Sequence, residues 1–517
     1  MKKLRIGIID LVTKGPTNTM YARLMHANLA GIMSQAVAVW CEEQGHSVTF
    51  VCYTGREDLM AEIPADLDMV FICAFTQAAQ LSYALSNMFR SRGAVTVLGG
   101  PHARCYPEDA VFHFDYVLGF TDKKIIETVL QENAQHRPVG RQLAAAQQPT
   151  HVPGVRARWK FIESTLKKSP VFKIVGMLGS LGCPYTCSFC IDAVVPYQPL
   201  DFDEMKGDLQ FLLTKFKRPH VGWHDPNFGI RFDDYMTMIE DAVPPDSIDF
   251  VSESSLSLLS EEHVKRMKRN GFKAVLPGIE SWYDLGNKSK TGKSQGMEKV
   301  KRVSDQVNMI LQHIPYVQTN FVLGLDCDEG PEPFELTAKF LDMTPGAFPA
   351  YSLLSAFGRA AELNLEYQKA NRVLPFPFHF LNNNHAMNVR PKGYQWPEFY
   401  DNLIKLSTHS FSWPRILARF QATHAAIPRL LNFVRAVSSE GFGRIRYYKE
   451  IRQRLDDDRA LRSYFEQEST DLPDFYIQRI KRDLGPLWSW LPNNAIHHDA
   501  YVYLKSQALS VGMIARA

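Results

Sequence analysis

Residues Gly179–Ala193 read GSLGCPYTCSFCIDA and hold Cys183, Cys187 and Cys190, three of the eight cysteines in a 517-residue chain. Three thiols within eight positions form a metal-ligand or disulfide pattern. A closed tetrahedral metal site wants four protein ligands, and this stretch offers three. Thiolates select zinc, copper(I) or iron–sulfur clusters. Zinc sites usually add a second pair of ligands further along, and no second pair follows here. An iron–sulfur cubane normally takes four cysteines, so three would leave one iron with an open position where a substrate or cofactor can bind.

Working outward, the stretch follows FKIVGML and precedes a run of strand-helix units. The strands expected are FKIVGML, HVGWHD, IDFVSES, KAVLPGIE, VQTNFVLGL and AYSLLSAF, all within residues 171–370. Between them lies a helix with Met205, Leu209, Leu212, Leu213 and Phe216 on one face, at the 3.6-residue period. Another has Ser260 as its N-cap and Gly271 at its end. Six such units predict a partial (β/α)6 barrel, whose chemistry belongs at the carboxyl ends of its strands.

Residues 1–135 alternate strand and helix signals. LRIGIID, SVTFVCY, DMVFICAF, AVTVLGG and DYVLGF read as strands, and residues 28–44, 76–91 and 121–134 as helices. Continuous apolar strands alternating with helices predict an α/β, Rossmann-like parallel sheet covered on both faces. Residues 136–170 are polar and basic and read as a linker. Residues 371–517 read as a helical C-terminal region, rich in Arg, Trp and Tyr.

Composition narrows the function. Net charge is +3, with 45% hydrophobic residues, too close to balance to argue for an acidic membrane surface or for nucleic acid, and no nucleic-acid partner is expected. In the C-terminal region, Asp456, Asp457 and Asp458 interrupt the basic run, so it reads as a solvated helix face. The N-terminal MKKLRIGIIDLVTKG is broken by Arg5 and Asp10, which favours a first strand over a secretory leader. No uninterrupted apolar run is long enough to predict a membrane span. Cys41, Cys52, Cys73, Cys105 and Cys327 are dispersed and read as buried free thiols of a reducing, cytoplasmic compartment.

The loop CPYTCSFC resembles the C-x3-C-x2-C signature of the radical S-adenosylmethionine (SAM) enzymes, including the aromatic Phe189 before the last cysteine. The resemblance implies that Cys183, Cys187 and Cys190 hold a 4Fe-4S cluster whose open iron chelates SAM. Reductive cleavage then yields a 5′-deoxyadenosyl radical. It further implies SAM contacts at Phe189, at Asp225 and Asn227 in WHDPNFG, and at Glu253 in VSES. Gly278, Glu280 and Ser281 in PGIES and Gly324 in NFVLGLD complete that set. Residues 5–390 resemble the subclass with an N-terminal cobalamin-binding-like domain. There Gly99, Gly100 and His102 in VTVLGGPHARCYPEDA match the glycine turn. Two glycines ending a strand let backbone approach a large ligand. The Asp-x-His-x-x-Gly motif of classical cobalamin domains is absent from residues 1–150, and His26 and His102 have other neighbours.

The implied activity is radical SAM chemistry on a small-molecule substrate, with methyl transfer from cobalamin to an unactivated carbon. An electron donor such as flavodoxin or ferredoxin would supply the reductant. Two alternatives stay open: a radical rearrangement, cyclisation or oxidation without cobalamin, and a non-enzymatic protein with a structural zinc. The front region lacks the extra cysteine trio of a methylthiotransferase. Trp396, Trp413, Trp488 and Trp490 read as core, with a substrate cavity as the other reading. His497, His498 and Asp499 read as a helix boundary.

Overall fold

The computed structural model describes residues 2–12, 31–55, 57–169, 171, 173–193, 195–283 and 294–505. His26 and residues 28–30 of the first expected helix lie outside them. The chain divides into two compact units, residues 1–201, 356–382 and 472–517 in the first, and 202–355 and 383–471 in the second.

The first unit is built on six parallel strands: β1 (Arg5–Leu11), β2 (Ser47–Tyr53), β3 (Met69–Cys73), β4 (Val95–Gly99), β5 (Tyr116–Leu118) and β6 (Arg141–Leu143). Their order is β2-β1-β3-β4-β5-β6. That is a doubly wound order whose switch point lies between β1 and β3. Ile6, Ile8, Met69, Phe71, Val95 and Val97 pack with Ala36, Val39 and Trp40 of helix Ile32–Glu43. Ile126 and Val129 of helix Lys123–Glu132 join the same core. Strand side chains alternate faces, and helix Ala79–Ser91 packs on β3 and β4 with Tyr83, Leu85 and Phe89 fully buried.

Residues 136–170 are not a bare linker. They supply β6 and helix Val155–Lys168, which buries Phe161, Ile162 and Leu166. Arg158 in that helix is itself buried, because its guanidinium donates to the Pro153 carbonyl (2.7 Å) and the Gln35 side chain (2.6 Å). Residues 371–517 are not one extension either. Helix Asp474–Leu484 and the 3-10 turn Gly485–Trp490 return to the first unit. There the Gln80 carboxamide accepts from the His379 N–H (2.8 Å), and Asn87 donates to the Trp490 carbonyl (2.8 Å).

One further strand of the first unit, β7 (Ile174–Met177), precedes the cysteine loop. The second unit carries six parallel strands. They are β8 (His220–Trp223), β9 (Asp249–Ser252), β10 (Phe272–Val275), β11 (Gly278–Glu280), β12 (Tyr316–Leu323) and β13 (Phe348–Leu353). KAVLPGIE, expected as one strand, is split into β10 and β11, and both halves pair with β12. The break falls at Leu276–Pro277, where proline has no N–H to give the ladder. Helix Asp203–Lys215 buries Met205, Leu209 and Leu212, as the period predicts. In helix Glu261–Arg269 the Ser260 hydroxyl caps the His263 N–H at 3.2 Å. Trp396 is core, donating to the Phe465 carbonyl (2.9 Å), whereas Trp413 is 56% exposed. Trp488 and Trp490 are half-buried. No helix among the described residues is long and apolar enough to cross a membrane.

Candidate functional site

The cysteine loop is shaped by backbone. Ser180–Leu181 pairs antiparallel with Gln198–Pro199 and closes its base. Gly182 sits there at φ +67°, and a Cβ would lie 2.5 Å from the Val195 carbonyl oxygen. Only glycine fits both constraints. Within the loop the Cys190 N–H donates to the Cys187 carbonyl (2.9 Å), and the Asp192 N–H points at Cys190 Sγ (3.4 Å). Such N–H···S bonds support a thiolate and tune a cluster. Cys183, Cys187, Cys190 and Phe189 are all half-buried, and none of the three thiols is in a disulfide.

Among the described residues, no three ligating side chains are gathered tightly enough to hold one metal ion. A cubane makes no such demand, since each thiolate binds a different iron. Three half-buried thiols on a backbone-held loop are a donor set that fits an iron–sulfur cluster. His497, His498 and Asp499 form no metal group. His498 stacks on Phe378 with ring centroids 4.0 Å apart.

The glycine turn of the front sheet lies in the same unit. A Cβ at Gly99 would meet nothing within 4 Å, so backbone at the carboxyl end of β4 is open. Gly100, at φ +91°, would bring a Cβ to 2.9 Å from the Ala74 carbonyl oxygen. An open backbone at the carboxyl edge of a doubly wound sheet fits a large ligand such as cobalamin. His102 does not join that edge. Its side chain is fully buried, with Nε2 2.7 Å from the Tyr83 hydroxyl, which donates to Asp109 at 2.6 Å. Burial pushes the imidazole pKa down to about 3. The residue packs in the core under the turn.

Two contacts brace the loop against neighbouring parts of this unit. Arg104, in the short helix after Gly100, pairs with Asp192 at 3.6 Å. The Leu363 N–H, opening helix Glu362–Lys369, donates to the Ser188 carbonyl at 3.1 Å. Sequence reading missed both, because each partner is distant in the chain. It also missed Asp10 at the end of β1, beside the switch point. The Asp10 carboxylate accepts from the Gly31 N–H and bonds the Cys73 thiol, and burial raises its pKa.

The second unit carries the remaining expected SAM contacts at the carboxyl ends of its strands. Asp225 is buried and accepts a hydrogen bond from the Tyr235 hydroxyl. Asn227 is buried too, donating to Ser255 Oγ (2.8 Å) and accepting the Ser255 N–H (3.0 Å). Both side chains are thus held by neighbours within the fold. They are locked inward because a buried polar group must find a partner. Glu253 is exposed, and its carbonyl accepts the Phe228 N–H.

Glu280 is half-buried and takes φ +67°, uncommon for a residue with a side chain. Its carboxylate lies where a Cβ on Gly278 would be, 2.2 Å away. Ser281 Oγ accepts the Tyr283 N–H (3.1 Å) and lies 3.8 Å from Cys327 Sγ. Cys327 is exposed at the rim rather than buried as expected. Gly324, at φ +86°, sits against Met387 and Phe399, and its N–H donates to Asp328 at 3.1 Å. Ser255 bridges Asn227 to Gly278, and Ser281 reaches Cys327. The strand ends thus form one continuous rim. Among the expected contacts with a carboxylate, Glu253 is exposed and Glu280 half-buried, whereas Asp225 is buried.

No protein-family model matches the chain. It is 23% identical over 373 residues to bacteriochlorophyllide d C-12(1)-methyltransferase of Chlorobaculum tepidum, covering 69% of this chain and 78% of that one. It is 24% identical over 375 residues to bacteriochlorophyllide d C-8(2)-methyltransferase of the same organism, covering 68% and 80%. Among solved structures it superposes on the cobalamin-dependent S-adenosylmethionine radical enzyme OxsB with aqua-cobalamin and SAM bound. That match has a TM-score of 0.54 at 12% identity, over 95% of this chain and 84% of that one. It also superposes on the radical SAM methyltransferase TsrM of Kitasatospora setae, with cobalamin and a 4Fe-4S cluster bound. There the TM-score is 0.52 at 14% identity, over 71% and 78%. The chain has the fold of cobalamin-dependent radical SAM enzymes.

Proposed function

We propose that this chain is a cobalamin-dependent radical SAM methyltransferase acting on a carbon atom of a small-molecule substrate. One observation carries the reading. The three-cysteine loop and the open glycine turn belong to one compact unit and are tied by the Arg104–Asp192 pair. Cys183, Cys187 and Cys190 would hold the cluster, and backbone at Gly99 and Gly100 would receive cobalamin. When bound, the cluster supplies the electron for SAM cleavage and cobalamin carries the methyl group. The chain's own part is to bind, orient and exclude water. The Asp192 N–H steadies a thiolate, and Glu253 and Glu280 offer carboxylates to an ammonium or ribose hydroxyls.

The relatives named for bacteriochlorophyllide d make a planar, conjugated tetrapyrrole the first substrate class to try. A flavodoxin- or ferredoxin-type donor in a reducing cytoplasm fits an oxygen-sensitive cluster. The test is the anaerobically reconstituted holoenzyme with SAM carrying a deuterated methyl group, a strong reductant and a tetrapyrrole panel. Expected are 5′-deoxyadenosine and a product carrying the labelled methyl. Deoxyadenosine without any dependence on cobalamin would favour rearrangement, cyclisation or oxidation. A colourless protein with one zinc and no SAM cleavage would overturn the enzyme reading.

A further inference from the structure

Helices Trp413–Ala422 and Ala426–Val437 form a hairpin in the second unit. Its inner side is seated on the fold. Ile416, Arg419, Asn432 and Ala436 are buried, and Arg419 Nε donates to the Ala347 carbonyl (2.9 Å). Ala347 lies at the amino-terminal end of β13, opposite the end that carries the rim. The outer side therefore serves no part of the site described above.

That outer side is apolar. Trp413, Leu417 and Phe420 are 56%, 53% and 38% exposed, and Ile427 and Leu430 are 67% and 61% exposed. Spacings of three and four residues put each set on one helix face. Large exposed side chains concentrated on two adjoining helices mark an interaction surface. Within the sequence segment that carries them the charges have one sign. Residues 402–439 contain Lys405, Arg415, Arg419, Arg429 and Arg435 and no Asp or Glu. Lys405, Arg415 and Arg435 pair with carboxylates from outside the segment, Glu335, Asp342 and Glu440, and Arg419 is buried. Arg429 has no carboxylate partner among the described residues. Its Nε donates to the Thr423 carbonyl (2.8 Å), and its guanidinium stands 5.0 Å from the Phe420 ring.

We propose that this hairpin is an interfacial anchor that docks the protein on an anionic lipid surface. Trp, Phe, Leu and Ile would enter the headgroup–acyl boundary while Arg429 and the exposed His424 meet lipid phosphates. The helices have 10 and 12 residues, too short to span a bilayer, so the hairpin lies in the interface plane. A second copy is the poorer occupant. A two-fold contact through this face would set Arg429 and His424 against their mates with no carboxylate in the segment to receive them.

The test is flotation of the full-length holoenzyme with phosphatidylcholine vesicles containing about a third phosphatidylglycerol, beside phosphatidylcholine alone, at low and high salt. The protein is expected to float with the anionic vesicles, and less with neutral ones or at high salt. The triple variant Leu417→Ser, Ile427→Ser, Leu430→Ser should lower the bound fraction about tenfold or more. Arg429→Gln should lower it about fivefold. The three serine substitutions are at exposed positions, so circular dichroism should match the parent. No flotation with anionic vesicles overturns the proposal, as does equal flotation with neutral ones. A concentration-dependent dimer in light scattering that the triple variant abolishes overturns it in favour of self-association.

Discussion

The cysteine loop and the strand-end rim both gather polar side chains, yet they treat them in opposite ways. In the loop, backbone bonds set the shape, and Cys183, Cys187 and Cys190 stay half-buried. In the rim, Asp225 and Asn227 are buried and spend their side chains on Tyr235 and Ser255. A buried polar side chain must find partners inside the protein, whereas a half-buried one keeps a face toward the outside. On the proposed reading the loop receives a ligand, while much of the rim holds itself together.

The largest effect should come from the receiving side. Replacing any one of the three cysteines by alanine should abolish cluster binding, read as loss of iron and of the visible absorption band. The cost to apo-protein stability should be under about 1 kcal/mol, because the thiols are not core. A coloured, SAM-cleaving alanine variant would break the comparison.

On the holding side, Gly324→Ala adds a Cβ at φ +86° and 2.8 Å from Met387, so it should lower stability by about 2–4 kcal/mol in urea denaturation. Tyr235→Phe removes a hydrogen bond to a buried carboxylate, and about 1–3 kcal/mol should be lost. Loss of iron without loss of stability in that variant would move Asp225 to the receiving side.

The smallest effect is a pH dependence at Asp328. Burial pushes its pKa up to about 7 from an ordinary 3.8, against two backbone N–H donors that lower it. The folded state therefore holds a proton that the unfolded chain releases. This contribution is fully present below about pH 4 and is lost as pH rises through about 7. Asp328→Asn should remove that loss. Its stability relative to the parent should rise by about 1–2 kcal/mol between pH 5 and pH 8 in paired melting curves. A pH-independent difference would show that Asp328 is charged in the fold and belongs with the exposed carboxylates.

The strands were legible because runs such as IGII and VTVL carry their own signal, and the cysteine loop because thiol spacing is local. The capped helix at Ser260 was legible for the same reason. Residues 136–170 were not. Their polar composition hid a helix whose Arg158 is buried, and burial of an arginine depends on Pro153, Gln35 and Gly176 arriving around it. The split of KAVLPGIE was visible in Pro277, but not that both halves would pair with β12. His102 stood next to the right glycines, and only the packing of Tyr83 beside it shows that it points inward.

From its amino acids alone the chain declared a parallel α/β architecture and a thiolate loop one ligand short of closure, since apolar period and ligand spacing are properties of neighbouring residues. Which polar groups stay available to a ligand was left to the tertiary structure. So was the division of the C-terminal region between two units, and the outward apolar face at Trp413 and Ile427. Burial is the reason: it is decided by whatever the folded chain brings alongside, and those neighbours come from hundreds of residues away.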